Sequence, residues 1–123
     1  MKKLILILAI LLIAFPAYGA EILFQWEQDI SPDFAGWKLY MNTEPGVTSD
    51  GEPFAEILYE TQSDTYTTEQ VIEPPANVET TYYFVMTAYD HNGNESDISE
   101  EVNVTFDYEA PAKPFSFTVT IVE

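Results

Sequence analysis

From residue 21 onward apolar side chains alternate with polar ones, and no stretch carries a 3.6-residue period. Residues 21–26 set Ile22, Phe24 and Trp26 on one face of an extended chain. Residues 36–41 set Trp37, Leu39 and Met41 on one side, with Lys38 and Tyr40 on the other. Residues 57–59 form a short strand candidate, and 65–72 another, rich in Thr and Tyr. The strongest candidate spans 80–89. Tyr82, Phe84, Met86 and Ala88 share one face there, and Tyr83, Val85, Thr87 and Tyr89 the other. Residues 101–106 bring Val102, Val104 and Phe106 together, and residues 115–122 repeat the alternation with Phe115, Phe117, Val119 and Ile121.

Turn chemistry separates these segments. Ser31-Pro32-Asp33, Glu44-Pro45-Gly46, Asp50-Gly51 and Asn92-Gly93 are turn sequences, and Pro74-Pro75 cannot lie inside a central strand. Short strands with regular turns predict an all-β sandwich rather than an α/β domain. The predicted interior is Trp26, Trp37, Leu39, Tyr82, Phe84, Met86, Val102 and Val104. Each large side chain buried there contributes roughly 1.5–3 kcal/mol before its entropy cost.

The start of the chain has a different pattern. Lys2 and Lys3 precede an uncharged apolar run over 4–15, followed by Pro16, Ala17, Tyr18, Gly19 and Ala20. That order predicts a secretory leader over residues 1–19, cut before Ala20. The run is twelve residues long, against the roughly 20 needed to span a bilayer. The expected divisions are therefore a leader over 1–19, one domain over 20–108, and a linker with a strand-like tail over 109–123. Export places the mature protein outside the cell, on its surface or in the periplasm, with no membrane segment of its own.

Removing the leader takes two of the four lysines and none of the 21 acidic residues. So acidic a chain repels nucleic acid and anionic lipid surfaces. With no Cys, the fold must be held by its core alone.

Several blocks in order resemble the fibronectin type III family in its bacterial form. Phe24-Gln25-Trp26 resembles the end of the family's second strand. Asp33-Phe34-Ala35-Gly36-Trp37-Lys38-Leu39-Tyr40 resembles the third, with Trp37 in place of the usual Tyr. Ile72-Glu73-Pro74 resembles the step before the sixth strand, residues 80–90 that strand, and Asn92-Gly93-Asn94-Glu95-Ser96 the turn before the seventh. The match runs from about residue 24 to residue 106. It implies an immunoglobulin-like, two-sheet antiparallel sandwich with a Greek-key path. It also implies a tyrosine corner, in which the Tyr82 hydroxyl bonds backbone near residues 72–77. The family is mostly spacers, adhesion modules and binding platforms, so no catalytic role is implied.

The departure from the family lies at the ends. A mature chain starting at Ala20 lacks the family's first strand, while residues 110–120 resemble a linker and the first strand of a following repeat. The tail residues Phe115, Phe117, Val119 and Ile121 have three readings. They fill their own domain's vacant edge, fill a neighbour's by strand donation, or stay loose.

Candidate chemistry is sparse. His91 is the only His and stands in a turn, which gives no support to catalysis. Asp90, Asn92 and Asn94 recur at every second position as in cation-binding loops. With Asp97, Asp29 and Asp33 they form the candidate Ca2+ site. The competing account is a turn capped by its own side chains. Tyr40, Tyr83 and Tyr89 are expected to face outward on adjacent strands, either to stack on a sugar or protein surface or simply to stabilise the sheet. The sequence thus points to a non-enzymatic secreted module of adhesion or surface structure, self-associating through its tail. The alternative is a module binding carbohydrate or protein, including a phage-encoded attachment component.

Overall fold

The computed structural model describes residues 5–9, 14–15 and 19–122. The expected leader's lysines and Ala17, a small residue of its cleavage motif, lie outside the described residues. Among the described residues eight strands follow one another: β1 (Ile5–Ala9), β2 (Ala14–Phe15), β3 (Gly19–Glu27), β4 (Phe34–Asn42), β5 (Ala55–Leu58), β6 (Tyr66–Ile72), β7 (Glu79–Asp90) and β8 (Val102–Asp107). All pairings are antiparallel. One sheet joins β6 to β3 and β3 to β1 and β2; the other runs β5-β4-β7-β8. The two sheets stack as a sandwich. Among the described residues no helix is long and apolar enough to cross a membrane.

Alternation explains why these segments are strands. On β3 every second residue is inward, and Ala20, Ile22, Phe24 and Trp26 are fully buried. Trp37 and Leu39 of β4, Tyr82, Phe84 and Met86 of β7, and Val104 and Phe106 of β8 meet them from the other sheet. The contact between layers is largely aromatic. Phe24 meets Phe84 edge-on at 4.8 Å, and Trp26 meets Trp37 edge-on at 5.1 Å. Such pairs add about 0.5–1.5 kcal/mol beyond the area they bury. The Trp37 indole donates to Gln28 Oε1 at 3.1 Å, whereas the buried Trp26 Nε1 has no partner among the described residues.

Gly36 is fixed by close approach. The β4–β7 register shifts between Phe34 and Gly36, and a Cβ at Gly36 would collide with the Ile57 carbonyl oxygen. Backbone cannot yield as a flexible side chain would, so only glycine fits.

Three expectations need correction, and one gains a qualification. In the full chain the edge of β3 is occupied from within residues 1–19: β1 runs antiparallel to β3, with Ile5 opposite Glu27 and Ala9 opposite Leu23, and β2 continues opposite Gly19 and Ala20. An open edge of N–H and C=O groups takes the nearest β-forming segment, and the apolar run supplies it. Residues 115–122 make no ladder with the sandwich. Phe115, Phe117, Val119 and Ile121 are 87–94% exposed, because alternation alone makes no strand without an edge to pair with. Val102 is only half-buried, at the start of β8 opposite Phe84. The tyrosine corner does not form: the buried Tyr82 ring lies edge-on to Phe106 at 5.9 Å, and its hydroxyl bonds nothing in residues 72–77.

Candidate functional site

The polar chemistry gathers on the outer face of the β5-β4-β7-β8 sheet and at the turn after β7. Register brings Lys38 opposite Thr87, Tyr40 opposite Val85, and Gly36 opposite Tyr89. The segment after the turn then runs back along β7. Ser96 N–H donates to the Ala88 carbonyl at 2.7 Å and Ser99 N–H to the Met86 carbonyl at 2.8 Å. The hydroxyls of the same two serines accept from the Ala88 and Met86 amides. Serine therefore completes a ladder that ordinary strand pairing would leave open.

That segment lays Glu95 across the outer face. Its Oε2 accepts from the Tyr40 hydroxyl and from Thr87 Oγ1, each at 2.7 Å, and Lys38 Nζ stands 3.9 Å from Oε1. Burial works to raise the Glu95 carboxyl, but the Thr87 and Tyr40 hydroxyls and the Lys38 charge outweigh it and hold it below its ordinary value. Tyr40 is pushed up to about 12 by burial and then by the Glu95 carboxylate. Tyr89 is pushed up to about 12 by burial and by the bond it donates to Glu56. The Lys38 ammonium lies 5.2 Å from the centre of the Tyr89 ring.

The expected row of outward tyrosines is thus divided. Tyr40 is 4% exposed, packed with Val47 and Val85, while Tyr83 and Tyr89 are half-buried. Val47 is held down by Glu101, whose Oε1 accepts from the Gly46 and Val47 amides at 2.9 and 2.8 Å.

The turn after β7 satisfies itself. Asp90 Oδ1 accepts from the Asn92 and Asn94 amides at 3.0 and 2.9 Å, and Oδ2 from Asn94 Nδ2 at 3.0 Å. The Asn94 side chain, then its backbone N–H, hold the Asp90 carboxyl below its ordinary value. Asp33 joins the cluster through Asn92 Nδ2 at 3.4 Å and Ser31 Oγ at 3.1 Å. Of the six candidate Ca2+ ligands, Asp33, Asp90, Asn92 and Asn94 come together through these bonds. Asp97 lines the neighbouring groove, and among the described residues Asp29 bonds through its carbonyl, which accepts from Gln28 Nε2. Among the described residues no group of three His, Asp or Glu side chains could hold a metal ion. His91 is exposed and anchored by its backbone N–H to the Asp33 carbonyl at 2.9 Å.

Beside the turn is a groove of about 550 Å3, with Phe34, Gln28 and Ile98 as its apolar and neutral lining and Asp90, Glu95 and Asp97 as its acidic side. Glu95, Glu101, Ser96 and Ser99 were not candidates on sequence grounds. The Asn92-to-Ser96 motif marks where Glu95 and Ser96 stand, but their partners on β4 and β7 are set by the fold. No protein-family model matches the chain, and a search of curated proteins found no match.

Proposed function

We propose that the chain is an exported, non-catalytic module of the fibronectin type III kind that acts in adhesion or surface structure. The observation that carries this reading is a sandwich filled by its own side chains, with the polar groups of its outer face and turn bonded to one another. Glu95 and Asp90 are each held by several donors, which suits a rigid display scaffold rather than a reacting group. The strand order supports the family reading, since β3 pairs with β6 in one sheet and β5-β4-β7-β8 form the other. The apolar run behind Lys2 and Lys3 supports export, and the excess of acid argues against nucleic acid as partner. The test is to express the full chain in an exporting bacterial host. Product outside the cytoplasm, and cells that attach to a surface more strongly than cells without it, are the expected results. Product confined to the cytoplasm would overturn the reading.

One observation favours a second reading, a module that binds a carbohydrate or protein partner. The groove beside the turn is open and has both apolar and acidic walls. Binding to a glycan array that is lost on Phe34→Ala would support it.

A further inference from the structure

We propose that, once residues 1–19 are removed, the tail of one molecule adds as an antiparallel strand to the exposed β3 edge of another. This rests on the export reading above, because export is what removes the leader.

In the full chain, β1 and β2 cover one edge of β3 and β6 covers the other. Both covering strands on the first edge lie within residues 1–19, so a cut before Ala20 strips that edge of its partner. The backbone N–H and C=O groups that faced Ile5–Ala9 are then open, beside the fully buried Ile22, Phe24 and Trp26. An uncovered edge of this kind is a template for another chain.

The same molecule carries an exposed segment of matching pattern. Phe115, Phe117, Val119 and Ile121 stand at every second position and are 87–94% exposed. They match β3's own alternation residue for residue. Phe115 falls opposite Trp26, Phe117 opposite Phe24, Val119 opposite Ile22 and Ile121 opposite Ala20. Directly opposite residues of an antiparallel pair share a face, so the four apolar side chains all turn toward the core. Ser116, Thr118 and Thr120 turn outward. The β1 ladder demonstrates that this edge accepts an antiparallel strand over the same stretch, with Leu6 opposite Trp26 and Leu8 opposite Phe24.

For this antiparallel register, geometry favours a second copy over the chain's own tail. β8 ends at Asp107 opposite Glu79, and the Tyr108 amide donates to the Val78 carbonyl at 3.3 Å. That is the end of the sandwich where β6 finishes at Ile72, opposite Ala20. The tail therefore leaves beside the start of β3, whereas an antiparallel partner must begin at the far end, opposite Trp26. The distance along β3 is about 20 Å and the sheets are about 10 Å apart. Seven residues from Tyr108 to Phe115 reach about 23–25 Å only when fully taut. A tail from another molecule has no such limit. The contact is heterologous, so it builds head-to-tail chains unless the rotation closes a ring.

The test uses the full chain exported from a bacterial host. Intact mass establishes the N-terminus, and sedimentation over a range of concentrations establishes the assembly. A product beginning at Ala20 that forms concentration-dependent oligomers, and becomes monomeric on Phe117→Asp, is the expected result. Phe117 is 92% exposed in the folded chain, so a circular dichroism spectrum unchanged by Phe117→Asp shows that the fold survives. Oligomers should also strengthen with added salt, which screens repulsion between acidic molecules. A cut product that stays monomeric overturns strand donation and leaves the export reading standing. An uncut product whose edge stays with β1 overturns both. Oligomers that persist in Phe117→Asp overturn the assigned donor strand.

Discussion

Glu95 illustrates how one side chain organises a face that alternation alone describes as solvated. It gathers Tyr40, Thr87 and Lys38, from two strands, onto one carboxylate. Glu95→Gln replaces charge-assisted bonds by neutral ones and is expected to cost about 1–2 kcal/mol in urea unfolding. The pH dependence has a definite sign. The folded Glu95 and Asp90 carboxyls lie below their ordinary values of 4.5 and 3.8, so their stabilisation is present above those values and is lost as pH falls below them. Glu95→Gln should flatten part of that acid limb. Tyr40 and Tyr89 behave in the opposite sense. Their folded values of about 12 stand above the ordinary 10.0, so their contribution is intact below pH 10 and is lost between about 10 and 12. Absorbance at alkaline pH should show Tyr40 and Tyr89 ionising late, and Glu95→Gln should bring Tyr40 back toward its ordinary value. At Gly36 the constraint is steric. Gly36→Ala would force a methyl against the Ile57 carbonyl, and is expected to cost about 1–3 kcal/mol by the same unfolding measurement.

At the scale of elements, the alternation in residues 21–26, 36–41, 80–89 and 101–106 was sufficient to identify β3, β4, β7 and β8, because their inner faces are buried and their period is two. It was insufficient in two places for one reason: pairing is a property of two segments. The tail has a strand's pattern without an edge, and the N-terminal run has a leader's composition yet pairs with β3. The outer face of β7 was also misjudged. Val85 and Thr87 alternate outward, yet they are covered, because Glu101 fastens the loop carrying Val47 onto them and Glu95 reaches across. Nothing local to residues 44–47 signals a carboxylate arriving from β8's start. Glu101→Ala is expected to cost about 1–2 kcal/mol by leaving two amides without their acceptor. Hydrogen exchange at Gly46 and Val47 should quicken while the β3–β6 amides keep their protection. Equal quickening in both places would mean that the loop is not a separate unit.

The whole molecule is dominated by its charge, 21 acidic residues against four basic ones. Repulsion among exposed carboxylates opposes the compact state, and salt shortens its range to about 8 Å at physiological ionic strength. The melting temperature should therefore rise with sodium chloride. Divalent ions separate this general effect from a specific site. The oxygens of Asp90 already accept three donors within their own turn, and Asp33 accepts two more, so an entering ion would have to displace bonds that shape the turn. A Ca2+ ion would also need Asp97 or Asp29 to reach the same point, and neither is bonded into the cluster. Calcium and magnesium chloride at matched ionic strength should then raise the melting temperature equally. A larger rise with calcium that disappears in Asp90→Asn would show the opposite, that the turn opens to hold the ion. The distinction is physical: screening acts on the sum of the charges, whereas a site acts through the geometry of a few oxygens.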